Sequence, residues 1–213
     1  MYSLLNRSIN LILETLDHRL AIEVYLNLMR RFNQVNVRTD VVFQLDFRSY
    51  WRLNAARLSD EFCSAYFDLM ESLKTNQNVE IEDVVRRLYQ VPTHENGRQS
   101  IQFSFASKLI HTLDPHRPIY DSFVADFFFF RPPDSNKEID FRLSSFLTFY
   151  RFLCHEYERV LEQGLLQPSI LRFREIPGVD NTYTDQKIID TLIWQFVSLL
   201  RSGALIDRGI VFC

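Results

Sequence analysis

Between Ser100 and Phe130 the chain reads SIQFSFASKLIHTLDPHRPIYDSFVADFFFF, and this stretch limits the folds open to it more than any other. Ile101, Phe105, Leu109 and Leu113, with Ala106 and Ile110, recur at three and four residues, the period of a helix with one buried face. Pro115 and Pro118 stop that helix, because proline has no amide donor and restricts the residue before it. Asp121 then stands ahead of Ser122-Phe123-Val124-Ala125, where an aspartate accepts the free amide protons of a first helical turn. The stretch therefore predicts two helices joined by a tight link, which brings Lys108 and Asp121 within reach of each other.

Similar periodicity runs through the rest of the chain. Leu5, Ile9, Ile12, Leu13 and Leu16 form one apolar stripe, continued by Leu20, Val24, Tyr25, Leu28 and Phe32 after Asp17-His18, as in a helical hairpin or one kinked helix. Arg7 and Glu14 interrupt it as in an amphipathic helix rather than a signal sequence. Asp40 caps the next element, VVFQLDFRSYWRLNAARL, whose Val42, Phe43, Phe47, Tyr50, Trp51 and Leu58 suggest a packing centre. Ser59 opens a helix that Asn76 to Asn78 end, and Asn78 caps a short helix through Leu88. Pro92 to Gly97 read as a loop and Arg131 to Asn136 as a break. Glu138 to Gln163 form a long helix with an aromatic face that includes Phe141, Phe149 and Phe152, closed by Gly164. Pro168 opens a short helix, Ile176 to Asn181 turn, and Thr182 or Thr184 begins the last strong helix.

The chain is thus expected to be all-α: roughly eight to eleven helices in a single helical globular domain over residues 1–213, with a lobe boundary near 92–98. Only five glycines and seven prolines occur in 213 residues, which disfavours a turn-rich β fold, and 46% hydrophobic residues fill a sizeable core. A net charge of -3 gives no overall basic field, so binding to nucleic acid needs a local basic face. Cys63, Cys154 and Cys213 have no pairing pattern and read as reduced thiols of a cytoplasmic protein. No apolar run reaches bilayer length, so no membrane is expected.

Of the four lysines, Lys74, Lys108, Lys137 and Lys187, only Lys108 sits in a strongly apolar run. Burial lets a lysine lose its proton, the property of an amine nucleophile; alternatively its stem lies along the core and its tip reaches solvent or a carboxylate. Asp121 is either a helix cap alone or a carboxylate held ionised and aimed at developing positive charge. His111, Asp114 and His116 flank Pro115, which breaks the spacing that would aim them at one metal, so neither metal nor cofactor is expected. Phe127 to Phe130 either pack between helices or, if exposed, form a wedge or docking patch.

Ala106-Ser107-Lys108 followed by Pro118-Ile119-Tyr120-Asp121-Ser122-Phe123-Val124 resembles the core of the helix-hairpin-helix DNA glycosylase superfamily, with Gln102 to Phe105 where that family carries a glycine hairpin. The resemblance spans residues 104–124. It implies a related two-lobed helical architecture, DNA binding or base-excision chemistry on a flipped nucleotide, Lys108 as the nucleophile and Asp121 as the supporting carboxylate. DNA is then the partner, contacted by Arg98 and Arg117, the cations near this segment in sequence. A non-enzymatic reading stands beside it: a cytoplasmic interaction module whose aromatic residues and arginines meet a protein partner or a second copy.

Overall fold

The computed structural model describes residues 1–76 and 78–207; Cys213 and the tail from 208, like Gln77, lie outside the described residues. All regular structure among them is helical. The N-terminal stripe is broken rather than kinked: α1 (Tyr2–Arg7) and α2 (Ile9–Thr15) end where Leu16 turns extended, and a π-helical turn, Arg19–Val24, leads into α3 (Tyr25–Phe32). Asp17 starts the new turn by accepting the Leu20 amide at 3.0 Å.

Helix α4 (Val41–Tyr50) begins where the Asp40 carboxylate accepts the Phe43 amide at 2.7 Å. It does not run on to Leu58. Arg52 (φ 56°) and Arg57 (φ 50°) adopt left-handed backbone and bracket a 3-10 turn, Leu53–Ala56. Ser59 caps α5 (Asp60–Leu73) through the Phe62 amide, and its hydroxyl donates to the Pro92 carbonyl, tying the following loop to this helix. In α6 (Ile81–Tyr89) the capping position is Glu80, not Asn78 as expected; Asn78 stays in the preceding turn, its amide donating to Asn76 Oδ1.

The central stretch forms α7 (Phe103–Leu113) and α8 (Ser122–Phe127). After the break comes α9 (Ile139–Glu162), whose C-terminal carbonyls are closed by Gly164 at φ 62°. It is followed by α10 (Gln167–Arg174), α11 (Asp185–Arg201), capped by Thr184, and a last turn, α12 (Ala204–Asp207).

The hub of the packing is α11: Ile188, Ile189, Leu192, Ile193 and Phe196 are all fully buried. It packs against α1, α2, α8, α9 and α10, while α7 packs against α5 and α6. The α7–α8 pair therefore joins two groups of helices, and the groove between them becomes the site described below.

Some expected core positions face outward. In α9 the buried residues Leu143, Phe146, Tyr150, Leu153, Tyr157 and Val160 follow one three-and-four stripe, with Phe149 buried beside it; Phe141 (60% exposed) and Phe152 (44%) lie off it. Val42 is exposed in the first turn of α4, and Phe128 is only half-buried beside the fully buried Phe127. Phe105, Leu109 and Val124 are buried as expected.

Candidate functional site

One hydroxyl sets the geometry between α7 and α8. Ser107 accepts the Tyr120 amide at 3.0 Å and lies 3.2 Å from the Tyr120 carbonyl oxygen, pinning the end of the link to the helix. The next residue on each side is Lys108 and Asp121, so this clasp holds the two as a pair. Asp121 Oδ1 accepts the amides of Phe123 and Val124, both at 2.9 Å, which starts α8 and fixes the carboxylate orientation.

Lys108 and Asp121 open into the same cavity, of about 830 Å³. Its walls come from α4 and the turn after it (Tyr50, Trp51, Arg52), from α8 (Phe123), and from α11 (Lys187, Asp190, Trp194); Leu20 and Ala21 of the π-helical turn lie at its edge. Lys108 is 8% exposed, and its Nζ donates to Ser104 Oγ at 3.0 Å, 5.2 Å from the centre of the Phe105 ring. Burial lowers its proton affinity below that of an ordinary lysine, and the nearby Asp121 carboxylate only partly offsets this. Asp121 moves the opposite way: burial and the Asp190 charge raise it, against the pull of Lys108 and the two amides. An amine lowered and a carboxyl raised in one cavity is a pairing suited to proton transfer and nucleophilic attack.

Sequence reasoning missed several residues of this site. Lys187, which lies outside any strongly apolar run of the sequence, is 4% exposed, and its Nζ donates to Asp190 Oδ2 at 2.8 Å. The signal lay in the i, i+3 spacing of Lys187 and Asp190 around Ile188 and Ile189, both on the buried side of a hub helix. Arg52 is a second such residue; its guanidinium lies 5.3 Å from the centre of the Trp194 ring, which stacks on Phe123 at 4.7 Å. No sequence pattern announces it, because its placement follows from the left-handed turn that ends α4.

The two arginines expected to meet DNA lie elsewhere. Arg117 lies over the Tyr150 ring and lines a separate groove of about 620 Å³, whose rim includes Glu80, Asp83, Asp114 and Glu158. Arg98 is exposed on the loop between α6 and α7 and lines neither cavity. His111 is buried and fully engaged with protein: Nδ1–H donates to the Arg117 carbonyl at 2.8 Å, and Nε2 accepts from the Tyr25 hydroxyl at 2.9 Å. Of the phenylalanine run, Phe127 is buried, Phe130 stacks on Phe149 at 4.0 Å, and Phe129 is 77% exposed. Against protein-family models, curated proteins and solved structures, the chain shows no match.

Proposed function

We propose that this chain acts on DNA in the manner of the helix-hairpin-helix glycosylases it resembles, binding a flipped or abasic nucleotide and attacking its sugar with Lys108. The observation that carries the reading is the opening of Lys108 and Asp121 into one aromatic-walled cavity from two helices clasped by Ser107. The base stacks among the rings of the wall, as flipped nucleotides do. The lone pair of Lys108 Nζ attacks C1′, the bond to the base breaks, and the base leaves with the bonding pair. Asp121 stabilises the positive charge that develops on the sugar. The C1′-bound amine then loses a proton and its lone pair expels O4′, which takes up a proton as the ring opens, leaving a Schiff base between Lys108 and C1′.

Incubation with abasic and lesion-containing duplexes, followed by borohydride, is expected to give a covalent protein–DNA band. Lys108→Gln abolishes the band with the fold intact, and Asp121→Asn slows base release but preserves binding. Absence of any band across the panel would defeat the reading.

A second reading, an interaction module of the cytoplasm, draws on the exposed Phe129 and Phe141 and on the free thiols Cys63 and Cys154. It calls for a stable oligomer or co-purifying protein and no salt-sensitive affinity for DNA, whereas phosphate contacts give affinity that falls steeply with salt. No helix among the described residues is long and apolar enough to cross a membrane.

A further inference from the structure

The cavity holds two lysines in different states, and the difference is geometric. Lys108 and Lys187 both lie against Trp51, their Nζ atoms 5.9 and 5.2 Å from the centre of its rings, so the two amines are at most about 11 Å apart. Lys187 is also 5.2 Å from the Tyr25 ring and 6.0 Å from that of Tyr50, and it is ion-paired with Asp190. Among the described residues, Lys108 has no carboxylate within ion-pair distance and only a serine hydroxyl as side-chain hydrogen-bond partner. A buried ion pair is seldom needed for stability, since apolar residues of like volume often serve as well or better. The Lys187–Asp190 pair lies on the wall of the cavity, across Trp51 from the proposed nucleophile, and this position gives it a reason to exist.

We propose that Lys187 is a positioning residue for Lys108: it occupies Asp190, so that the cavity presents one lysine amine without a carboxylate partner. Remove Lys187, and Asp190 turns its full charge on Lys108, clamping it as an ammonium that cannot attack carbon. The groups that act on Lys108 are then Asp121 ahead of α8, Asp190 and Lys187 on α11, and Arg52 after α4, with the Tyr50 and Tyr120 hydroxyls also on the wall. Lys187 itself is held as a cation: burial works against its charge, and Asp190 together with Tyr50, Tyr183 and Tyr25 outweighs it. This rests on the reading of Lys108 as nucleophile, but its test does not require DNA.

Acetic anhydride acylates only the unprotonated amine, so trace labelling at a series of pH values, read by mass spectrometry of each lysine peptide, gives a midpoint for Lys108. The exposed Lys137 serves as internal reference. Lys108 is expected to label with a midpoint below that of Lys137. In Lys187→Met the Lys108 midpoint rises, because a positive charge at most about 11 Å away is lost, and at an effective dielectric near 20 such a charge moves a proton equilibrium by roughly one pH unit. Lys187→Arg keeps the wild-type midpoint. The double variant Lys187→Met/Asp190→Asn, which removes both charges and spares the fold a buried unpaired carboxylate, returns the midpoint to the wild-type value or below. An unchanged midpoint in Lys187→Met, or a raised one in the double variant, overturns the proposal. Correct labelling shifts without a borohydride-trapped band would instead reject the DNA reading and leave the two-lysine arrangement standing.

Discussion

Acid should unfold this protein through His111, and the size of the effect follows from the surroundings of that ring. His111 sits on α7 with 1% of its surface exposed, and both ring nitrogens are satisfied in the neutral form. Burial, aided by the positive charge of Lys187, pushes it down to about 3 from an ordinary 6.5, and the Arg117 carbonyl only partly opposes this. The unfolded chain therefore takes up a proton at this residue as pH falls through 6.5, while the folded chain stays neutral until about 3. Across that window the unfolded state binds more protons, so stability declines as pH falls, by about 1.4 kcal/mol per pH unit. From pH 6.5 to 4.5 the loss from this one group is about 2 kcal/mol, because the slope is only half developed at 6.5, and this is a large share of the stability of an ordinary domain. Urea unfolding at a series of pH values, followed by the fluorescence of Trp51 and Trp194, measures it. His111→Gln, which can still form hydrogen bonds but cannot titrate, removes this contribution and leaves those of all other groups. The wild type is expected to lose about 2 kcal/mol more than the variant over those two pH units. Curves that stay parallel within about half a kcal/mol would refute the reasoning.

Two further substitutions probe the hairpin. Leu109→Ala removes a fully buried side chain from α7 and should cost about 2 to 5 kcal/mol in urea unfolding; a loss under about half a kcal/mol would contradict the packing. Lys108→Met replaces a buried amine with an apolar side chain of similar length and should stabilise the fold by about 1 kcal/mol while abolishing the borohydride-trapped species; a loss of more than about 1 kcal/mol would show that the amine is structural.

The helices were legible in the sequence wherever periodicity and capping agreed. Asp40, Ser59, Asp121 and Thr184 each accept the amide protons that their positions predict. Boundaries failed where backbone geometry, rather than side-chain pattern, decides. Nothing in Tyr50-Trp51-Arg52 marks a helix end, since arginine is a good helix former, yet Arg52 takes a left-handed conformation there. Aromatic content likewise overstated burial in α9, where hydrophobicity alone does not separate Phe141 from Phe146. At the site, Lys108 and Asp121 are close in sequence and could be paired from it. Lys187 and Arg52 reach the cavity from α11 and from the end of α4, across separations that single-chain spacing does not encode.

The bond between Ser107 and Tyr120 has a consequence for how such a chain can change over time. Because the clasp joins the residues immediately beside Lys108 and Asp121, the link after α7, Asp114 to Ile119, lies within a loop that this bond closes. Closing a longer loop adds little entropy penalty per added residue. Insertions or deletions at its outer turn, around Asp114 to Arg117, would cost the bonds that His111 and Thr184 make to the Arg117 and Pro115 carbonyls but leave the amine and the carboxylate in register, whereas loss of the single hydroxyl at Ser107 would free them to drift apart. The spacing between these two residues along the chain is thus a poor guide to their distance in space, and relatives sharing the same pair could differ widely in the number of residues between them.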